Sequence, residues 1–393
     1  MTRWRIAPAV LTAAGMLLAA VPVEAQAAAR TETGARPWAD GAFPEGNATL
    51  RDAARVGPRT TWAVGYRKYG EGKQGYRRPV IFTREDGSTL WSELPAPDGL
   101  AAIRTVTGSP TGTTWLTDTA PRDGGGVVTA RHDSTGWRIE EGPLPEGSLS
   151  GGFNGLAPVA DDDVWAVGWS QPTDYLTFLG LIEHWDGTRW QRVPTPAVDS
   201  DYWTLDDVVA TGPDDAWATG SIGTPEGRIR PLMLHYDGVA WTVVPTPGLS
   251  SHYGAFADLA ARGPNDVWAV GTEEAGADAE AHAAIAHFDG HGWKKVYTGA
   301  GEGRLTSVTA TPWGVTAVGH SDAGGTSYRP FGVRRTAGRW KPLAIPAGEG
   351  ALGRTPIDVL GAGRTLTVVG IEPREDEATG ESLPPEPFSL TSR

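Results

Sequence analysis

The sequence predicts an all-β chain built from repeated units of about fifty residues. Short apolar runs alternate with clusters of Gly, Pro, Asp and Asn, and no long stretch has helical periodicity. Two markers that contain tryptophan recur at this interval, one in a predicted strand and one at the end of a turn, so two independent signals share one period. The first marker is W-A-x-G with its degenerate copies, which start at Trp62, Trp115, Trp165, Trp217, Trp268, Thr316 and Thr367.

Each unit is predicted to contain four strands, and the fourth copy illustrates their order. Its strands a, b, c and d are expected over residues 205–211, 216–220, 231–237 and 241–247. Asp237-Gly238, between c and d, is typical of a tight hairpin, whose central residues need positive φ. A four-stranded unit cannot bury both of its faces alone, which favours sheets packed around an axis as in a β-propeller. The repeated tryptophans are then expected between neighbouring blades.

The repeats predict seven blades, of which the last is split between the two ends of the chain. Residues 387–393 match strand c, and the chain stops where the final hairpin should follow. Residues 36–46 resemble the strand d that begins near Trp137, so Trp38 occupies the missing turn position. The expected fold is therefore a seven-bladed β-propeller of four-stranded antiparallel blades, its ring closed by the N-terminal strand in the last blade.

The first residues have the features of a secretory signal. Arg3 and Arg5 precede a short apolar run, and small residues around Ala25 and Ala27 fit a cleavage site. We expect a signal peptide over 1–27, a linker over 28–35 and the propeller over 36–393. No later stretch is long and apolar enough for a membrane span. The protein is predicted to be secreted and extracellular.

Composition excludes several classes of chemistry. The chain has no cysteine, so disulfides, thiolate metal sites and a cysteine nucleophile are excluded. Its formal net charge of −13, without basic clusters, argues against nucleic acid as a partner. A monomer is expected.

The repeat also resembles a known group of proteins. D-D-V-W-A-V-G followed by D-G-x-x-W-x-x-V-P-x-P, complete over residues 162–196, is similar to the repeat of secreted actinobacterial propeller proteins. It is more distantly similar to propellers of the galactose-oxidase/kelch class and the sialidase class. The resemblance implies the fold and leaves the function open, because such propellers include enzymes, lectins and scaffolds. Arg-Pro at residues 78–79, 230–231 and 329–330 recurs in register, so we interpret it as structural rather than as a sialidase motif.

One position in strand a carries four aspartates, Asp52, Asp207, Asp258 and Asp358. Strand a lines the central channel of a propeller, so these carboxylates are expected to face it. Two interpretations are open: the oxygens bind a hard cation such as calcium, or each Asp accepts a hydrogen bond from backbone of a neighbouring strand. The second is favoured because repeated positions usually serve packing, and no other cofactor is expected. His184, His235 and His287, each six residues before a turn tryptophan, are likewise expected to be structural.

Residues that do not repeat are the better functional candidates. The d–a and b–c loops of a propeller open on one face, and here they vary greatly while the other turns are short. Aromatic rings with a few polar groups suit stacking on sugars or gripping a peptide. Trp169, Trp203 and Tyr253 are expected to cluster at the mouth of the channel. The predicted ligand-binding residues are Trp169, Trp203, Tyr253, His252, Tyr202, Asp201, Tyr66 and His320.

The leading hypothesis from sequence is a non-catalytic module that binds glycan or peptide on this variable-loop face. One alternative is a carbohydrate-active hydrolase or lyase that uses carboxylates in the funnel, which would need two facing carboxyl groups at a defined distance. A second alternative is a structural protein of the cell envelope. No catalytic motif in the sequence selects among the three.

Overall fold

The described part of the chain is built from β-strands, as the sequence predicts. The computed structural model describes residues 38–392 except 71–75, 119–125, 173–176, 247–248, 250–251, 277–278, 297, 299–300, 322–326, 351, 377–378 and 380. Within these residues, all regular elements are strands, and none is a helix that could cross a membrane. The predicted signal peptide (1–27) and linker (28–35) lie outside the described residues and stay predictions.

The strands follow one another in a repeating order of four, and we call each group of four antiparallel strands a unit, with strands a to d. In units 1 to 3 the strands are β2 (Thr49–Arg55), β3 (Thr60–Tyr69), β4 (Tyr76–Glu85) and β5 (Ser92–Leu94); β6 (Ile103–Gly108), β7 (Thr114–Asp118), β8 (Val127–Asp133) and β9 (Gly136–Gly142); β10 (Ser150–Ala160), β11 (Asp163–Gln171), β12 (Leu179–Trp185) and β13 (Trp190–Arg192).

In units 4 to 6 they are β14 (Trp203–Gly212), β15 (Asp215–Gly223), β16 (Ile229–Tyr236) and β17 (Trp241–Val243); β18 (Tyr253–Gly263), β19 (Asp266–Glu274), β20 (His282–Phe288) and β21 (Trp293–Lys295); β22 (Arg304–Thr311), β23 (Gly314–Ser321), β24 (Arg329–Thr336) and β25 (Arg339–Leu343). Unit 7 consists of β26 (Thr355–Ala362), β27 (Thr365–Glu375), β28 (Ser382–Ser392) and, as strand d, β1 (Trp38–Gly41).

Hydrogen bonds group these strands into six sheets in the described residues. Five sheets have four strands, and the sixth has eight because units 4 and 5 are joined at one parallel pair, Ile229 with Tyr253. The repeated four-stranded antiparallel sheets fit a β-propeller. The sheet count is one fewer than the seven blades that the sequence predicts, so the number of blades stays a prediction.

The strand at the start of the chain pairs with the strand at its end. β1 runs antiparallel to β28, with Trp38 opposite Ser392 and Gly41 opposite Ser389. The indole N–H of Trp38 also donates to the carbonyl of Ala344 in unit 6, at 2.8 Å. The displaced sequence around Trp38 therefore supplies the strand d that unit 7 lacks.

The hydrophobic core lies between units rather than within them. Each cluster of buried side chains in the described residues contains residues from two neighbouring units, because each four-stranded sheet has apolar residues on both faces. One cluster combines Leu50 and Phe82 of unit 1 with Val369 of unit 7, so the first and last units also pack together.

Tryptophan pairs form the centre of these interfaces. The strand-b tryptophan of one unit contacts the turn tryptophan of the next, mostly edge to face, which is a favoured geometry for aromatic rings. The centroid distances are 5.9 Å for Trp62–Trp137, 5.5 Å for Trp115–Trp190, 5.2 Å for Trp165–Trp241, 5.4 Å for Trp217–Trp293 and 5.7 Å for Trp268–Trp340. The prediction that Trp165, Trp217 and Trp268 are buried between units is confirmed, whereas the turn tryptophans Trp137, Trp293 and Trp340 are only half-buried.

The repeated histidines and the aspartate of the D-x-W pattern support these rings. His235 stacks on Trp217 with centroids 4.1 Å apart, and its Nε2 lies 2.7 Å from Oδ1 of Asp215. The same contacts recur for His184 with Asp163 and for His287 with Asp266. The structural interpretation of the three histidines is confirmed.

Arginine replaces the tryptophan pair where the marker is degenerate. In unit 7, Thr367 stands at the place of the strand-b tryptophan. Arg84 of unit 1 donates to the hydroxyls of Thr367 at 2.8 Å and Thr391 at 2.7 Å, and its guanidinium lies 4.9 Å from the ring centroid of Trp91. The interface between these two units is therefore polar where five of the others have a pair of tryptophans.

Replacing Trp217 by Ala should lower the free energy of unfolding by roughly 3–5 kcal/mol, because it leaves a cavity in a closed interface. Trp217 is only 3% exposed, and its indole N–H has no acceptor among the described residues. Trp217→Phe should cost less, since it keeps one aromatic ring, leaves a smaller cavity and removes the unpaired donor. Urea denaturation of both variants tests this; equal losses would contradict a packing role.

A chain that begins at residue 46 should melt well below one that begins at residue 36. Both lack the N-terminal region, but only the shorter chain loses β1 and exposes the edge of β28. Thermal unfolding followed by circular dichroism measures the difference. If the two chains melt together, the pairing of β1 contributes nothing to stability.

Candidate functional site

The strands a of all seven units line one cavity of about 670 Å³. Strand a is the first strand of each unit, and residues at its start or in its middle line the cavity. Tyr253 and Arg304, which begin their strands, lie at one end of the lining, together with His320 and Thr272 from the ends of strands b. This end of the cavity is therefore the one onto which the d–a and b–c loops open.

A β-bulge recurs in every strand a. The pairing between strands a and b skips residues after Leu50, Ile103, Phe153, Leu205, Phe256, Leu305 and Pro356. A bulge bends the strand and re-aims the extra side chain, so two consecutive residues can face one side. In each unit both the extra residue and the one after it line the cavity.

The predicted channel aspartates occupy the second of these two positions and accept backbone hydrogen bonds. Oδ2 of Asp52 accepts from the N–H of Val106 at 2.7 Å, and Oδ2 of Asp258 accepts from that of Val308 at 2.6 Å. Asp207 and Asp358 accept in the same way from the next unit, Asp358 from strand a of unit 1. Each carboxyl thus links its unit to the following one.

These contacts correspond to the backbone interpretation that the sequence analysis favours. Within the described ranges, no group of three or more His, Asp or Glu side chains has the arrangement of a metal site. Calcium binding by Asp52, Asp207, Asp258 and Asp358 stays a prediction. Unit 3 has Gly155 at the same position, because a Cβ there would lie 2.9 Å from Oδ1 of Asp207.

Burial disfavours the charged form of the channel carboxyls. It raises the pKa of Asp207 to about 7 and, together with the nearby Asp258, that of Asp358 to about 7. Burial also raises the pKa of Asp52 and of Asp258 well above the ordinary range, with Asp358 and Asp207 as the respective neighbouring charges. Burial thus favours the protonated form at all four positions.

The bulge positions, one residue earlier, differ from unit to unit. In the first four units this position holds two arginines, an asparagine and an aspartate, and in the other units it holds mostly small or apolar residues. Burial raises the pKa of Asp206 to about 6, and the Arg104 guanidinium opposes this rise. In unit order the seven residues are Arg51, Arg104, Asn154, Asp206, Ala257, Thr306 and Ile357.

The structure brings two of the predicted ligand-binding residues to this cavity. Tyr253 and His320 both line it, and the ring of His320 packs against Tyr328 with centroids 5.3 Å apart. The remaining predicted residues are not part of the lining, so the predicted set divides into separate groups.

Trp203 was expected on an accessible face, and this prediction is wrong. Its side chain is only 4% exposed and packs over Gly180, where a Cβ would lie 1.9 Å from Cζ3 of the indole. β14 already begins at Trp203, so strand alternation places it on the same side as buried Leu205. It cannot stack on a ligand.

Trp169 and Tyr202 meet at a small aromatic cluster. Phe178 contacts Trp169 and Tyr202 with centroid distances of 5.5 and 5.7 Å, and Tyr202 is 42% exposed. Asp201 is exposed beside this cluster, and His252 is half-buried. Tyr66 lies elsewhere, in unit 1, with the guanidinium of Arg77 4.7 Å from its ring centroid. The predicted trio of Trp169, Trp203 and Tyr253 therefore does not form one stacking surface.

The cavity residues that sequence reasoning missed are Arg51, Arg104, Asn154 and Asp206. A signal for them exists: they directly precede the aligned aspartate position, and no residue type repeats there. Successive side chains of a strand point to opposite faces, and the extra residue of the bulge interrupts this alternation. The alternation alone therefore does not predict that these residues face the channel.

Comparison with known proteins adds information about the fold. No protein-family model and no curated protein matches the chain. A solved protein of unknown function from Dyadobacter fermentans DSM 18053 is similar, with a TM-score of 0.51 and 13% identity over 90% of this chain and 97% of that one. A structure described as YCF48 bound to D1 peptide matches with a TM-score of 0.41 and 17% identity over 72% of this chain and 93% of that one. Similarity at these levels concerns the fold alone.

Replacing Asp207 by Asn should stabilise the protein at pH 8 and have little effect near pH 4. In the folded state Asp207 has a pKa of about 7, whereas an ordinary aspartate has a pKa of 3.8. The folded state therefore binds more protons between these values, and this contribution to stability is lost as the pH rises through about 7. Asn keeps an acceptor oxygen for the backbone of Leu259 and cannot ionise.

Urea denaturation from pH 4 to pH 8 measures this effect, with exposed Asp98→Asn as the control. The wild type and the control should lose stability over this range more steeply than Asp207→Asn. Parallel curves for all three proteins would show that Asp207 is ionised throughout.

Proposed function

We propose that this protein is a non-catalytic binding module, whose glycan or peptide ligand enters the cavity lined by strands a. The observation that supports this most is the contrast between two sets of positions. Residues at the interfaces repeat from unit to unit, whereas the bulge positions and the residues at the cavity mouth do not. Packing therefore does not account for Arg51, Arg104, Asp206 or Tyr253. The volume of about 670 Å³ is in the range of about 300–1,000 Å³ of small-ligand pockets.

We further propose that the seven units form a closed seven-bladed ring around this cavity. The pairing of β1 with β28, the shared core of units 1 and 7 and the hydrogen bond from unit 1 to Asp358 support closure. Secretion and a monomeric state are inferred from the sequence and belong to the same proposal.

The alternative of a carbohydrate-active hydrolase or lyase rests on Asp206. This carboxyl lines the cavity and its pKa of about 6 suits an acid or base near neutral pH. The other channel carboxyls accept backbone hydrogen bonds between units, which leaves them less free to act on a substrate. Nothing in the described residues favours the third hypothesis, a structural envelope protein.

Glycan and peptide arrays, run beside a broad hydrolase and lyase screen, test the proposal. Wild-type protein should bind members of an array without converting them. Ala257→Trp should abolish this binding, because Ala257 is exposed to the cavity and a large ring there fills the space. Val239→Trp, in a hairpin turn where Val239 is 87% exposed, is the matched control and should bind normally.

If the wild type converts a substrate and Asp206→Asn abolishes this turnover, the enzyme hypothesis replaces that of a binding module. If Ala257→Trp still binds the ligand, the binding site lies outside the cavity. No binding and no turnover by the wild type would contradict both functions.

A further inference from the structure

Two arginines at neighbouring bulge positions bring positive charge into the cavity, and attraction to Asp206 and Asp52 offsets that of Arg104 only in part. Arg51 and Arg104 line it, and within the described ranges neither guanidinium has an ion pair or a hydrogen bond to a carboxylate. Arg304, also in the lining, pairs with Glu274 at 2.8 Å, and Arg354, elsewhere, pairs with Glu372. The pair at the bulges thus differs from arginines that serve the fold.

This arrangement is unfavourable for the empty protein. Arg104 is half-buried, and burial followed by the nearby Arg51 lowers its pKa. Desolvation and repulsion from Arg51 outweigh the attraction of Arg104 to Asp206 and Asp52, so a cation is unfavourable at this place. Charge that the fold does not need, held in a cavity, indicates a site for an anion. Arginine forms bidentate hydrogen bonds with carboxylate and phosphate groups.

Asn154, at the next bulge position, offers a hydrogen-bond acceptor. Its Nδ2 donates to the carbonyl of Leu205 at 2.7 Å, which fixes the amide. Its Oδ1 is buried and has no donor among the described residues. A buried acceptor without a donor is costly. Oδ1 is closed to solvent, so it can accept from a ligand only after a small turn of the side chain, and a ligand with an N–H close to its anionic group would then satisfy it.

The bulge positions of units 5 and 7 are apolar. Ala257 and Ile357 hold the bulge positions of units 5 and 7, and Thr306 between them donates its hydroxyl to the carbonyl of Pro356 at 3.0 Å. A sugar acid carries hydroxyls on most sides, and inorganic phosphate has neither an N–H nor an apolar part. A peptide C-terminus has all three features: a carboxylate, an adjacent amide N–H and a side chain.

We propose that the cavity binds the C-terminal carboxylate of a peptide, an inference that rests on the binding function proposed above. Arg51 and Arg104 bind the carboxylate, and Oδ1 of Asn154 accepts the N–H of the last residue. The side chain of that residue contacts Ala257 and Ile357, so small or apolar terminal residues are preferred.

The test uses a tetrapeptide library coupled through its N-termini, in one set with free C-terminal carboxylates and in a matched set with carboxamides. Wild-type protein should bind members of the free-acid set, and amidation should weaken each by at least about tenfold, since charge-assisted hydrogen bonds are lost. Fluorescence anisotropy with soluble copies of the bound peptides gives the affinities.

Arg104→Met should weaken binding of the free acids by at least about tenfold and leave their amides unaffected. Its melting temperature should equal or exceed that of the wild type, because it removes a desolvated cation. Arg339→Gln, an exposed arginine outside the lining, controls for the change in net charge and should bind normally. If Arg104→Met melts lower than the wild type, exposed Arg51→Gln decides in its place.

Several results would overturn this inference while leaving the binding module intact. They are equal binding of acids and amides, full binding by both arginine variants, or arginine-dependent binding of glucuronate or phosphate with no preference for peptide acids. If instead Ala257→Trp and the wild type both bind nothing in either library or array, the proposed function itself fails.

Discussion

The contact between tryptophan rings of successive units is the interaction on which the architecture depends. Each unit is a thin sheet with two apolar faces and gains stability only when a neighbour covers them. Trp165 of one unit meets Trp241 of the next, and the ring of His184 lies against the same indole with centroids 4.6 Å apart. Both partners of such a contact must recur at one interval, which is why the sequence carries two markers with a single period.

The residue types at the bulge positions of the inner strands can vary, because other residues hold the units together. The interface rings carry the packing, and the channel aspartates tie the first strands together through backbone N–H groups. The bulge adds one more inward-facing residue per unit that neither task requires. Units can therefore differ at this place without loss of fold, and a charge pattern such as Arg51, Arg104 and Asp206 can be selected for a ligand.

Sequence reasoning was most successful where a residue type repeats. The burial of Trp217 and the strand formed by Trp38 followed from alignment of the units, and so did the structural role of His235. It was wrong for Trp203, because a loop was assumed where β14 begins and alternation turns the ring inward. It missed Arg51 and Arg104, because a bulge adds a residue to the period of two and the facing side cannot be counted across it.

The pairing of Trp38 with Ser392 has a consequence for the order of events during synthesis. Units 1 to 6 consist of residues close in sequence and can pack successively as the chain emerges, but β1 must wait until β28 has been made. Contacts so distant along the chain are slow to form, although the entropy of closing the loop grows only with the logarithm of its length. During that wait β1 is an unpaired strand. With only four residues it offers few backbone groups to another nascent chain, which limits misassembly between copies.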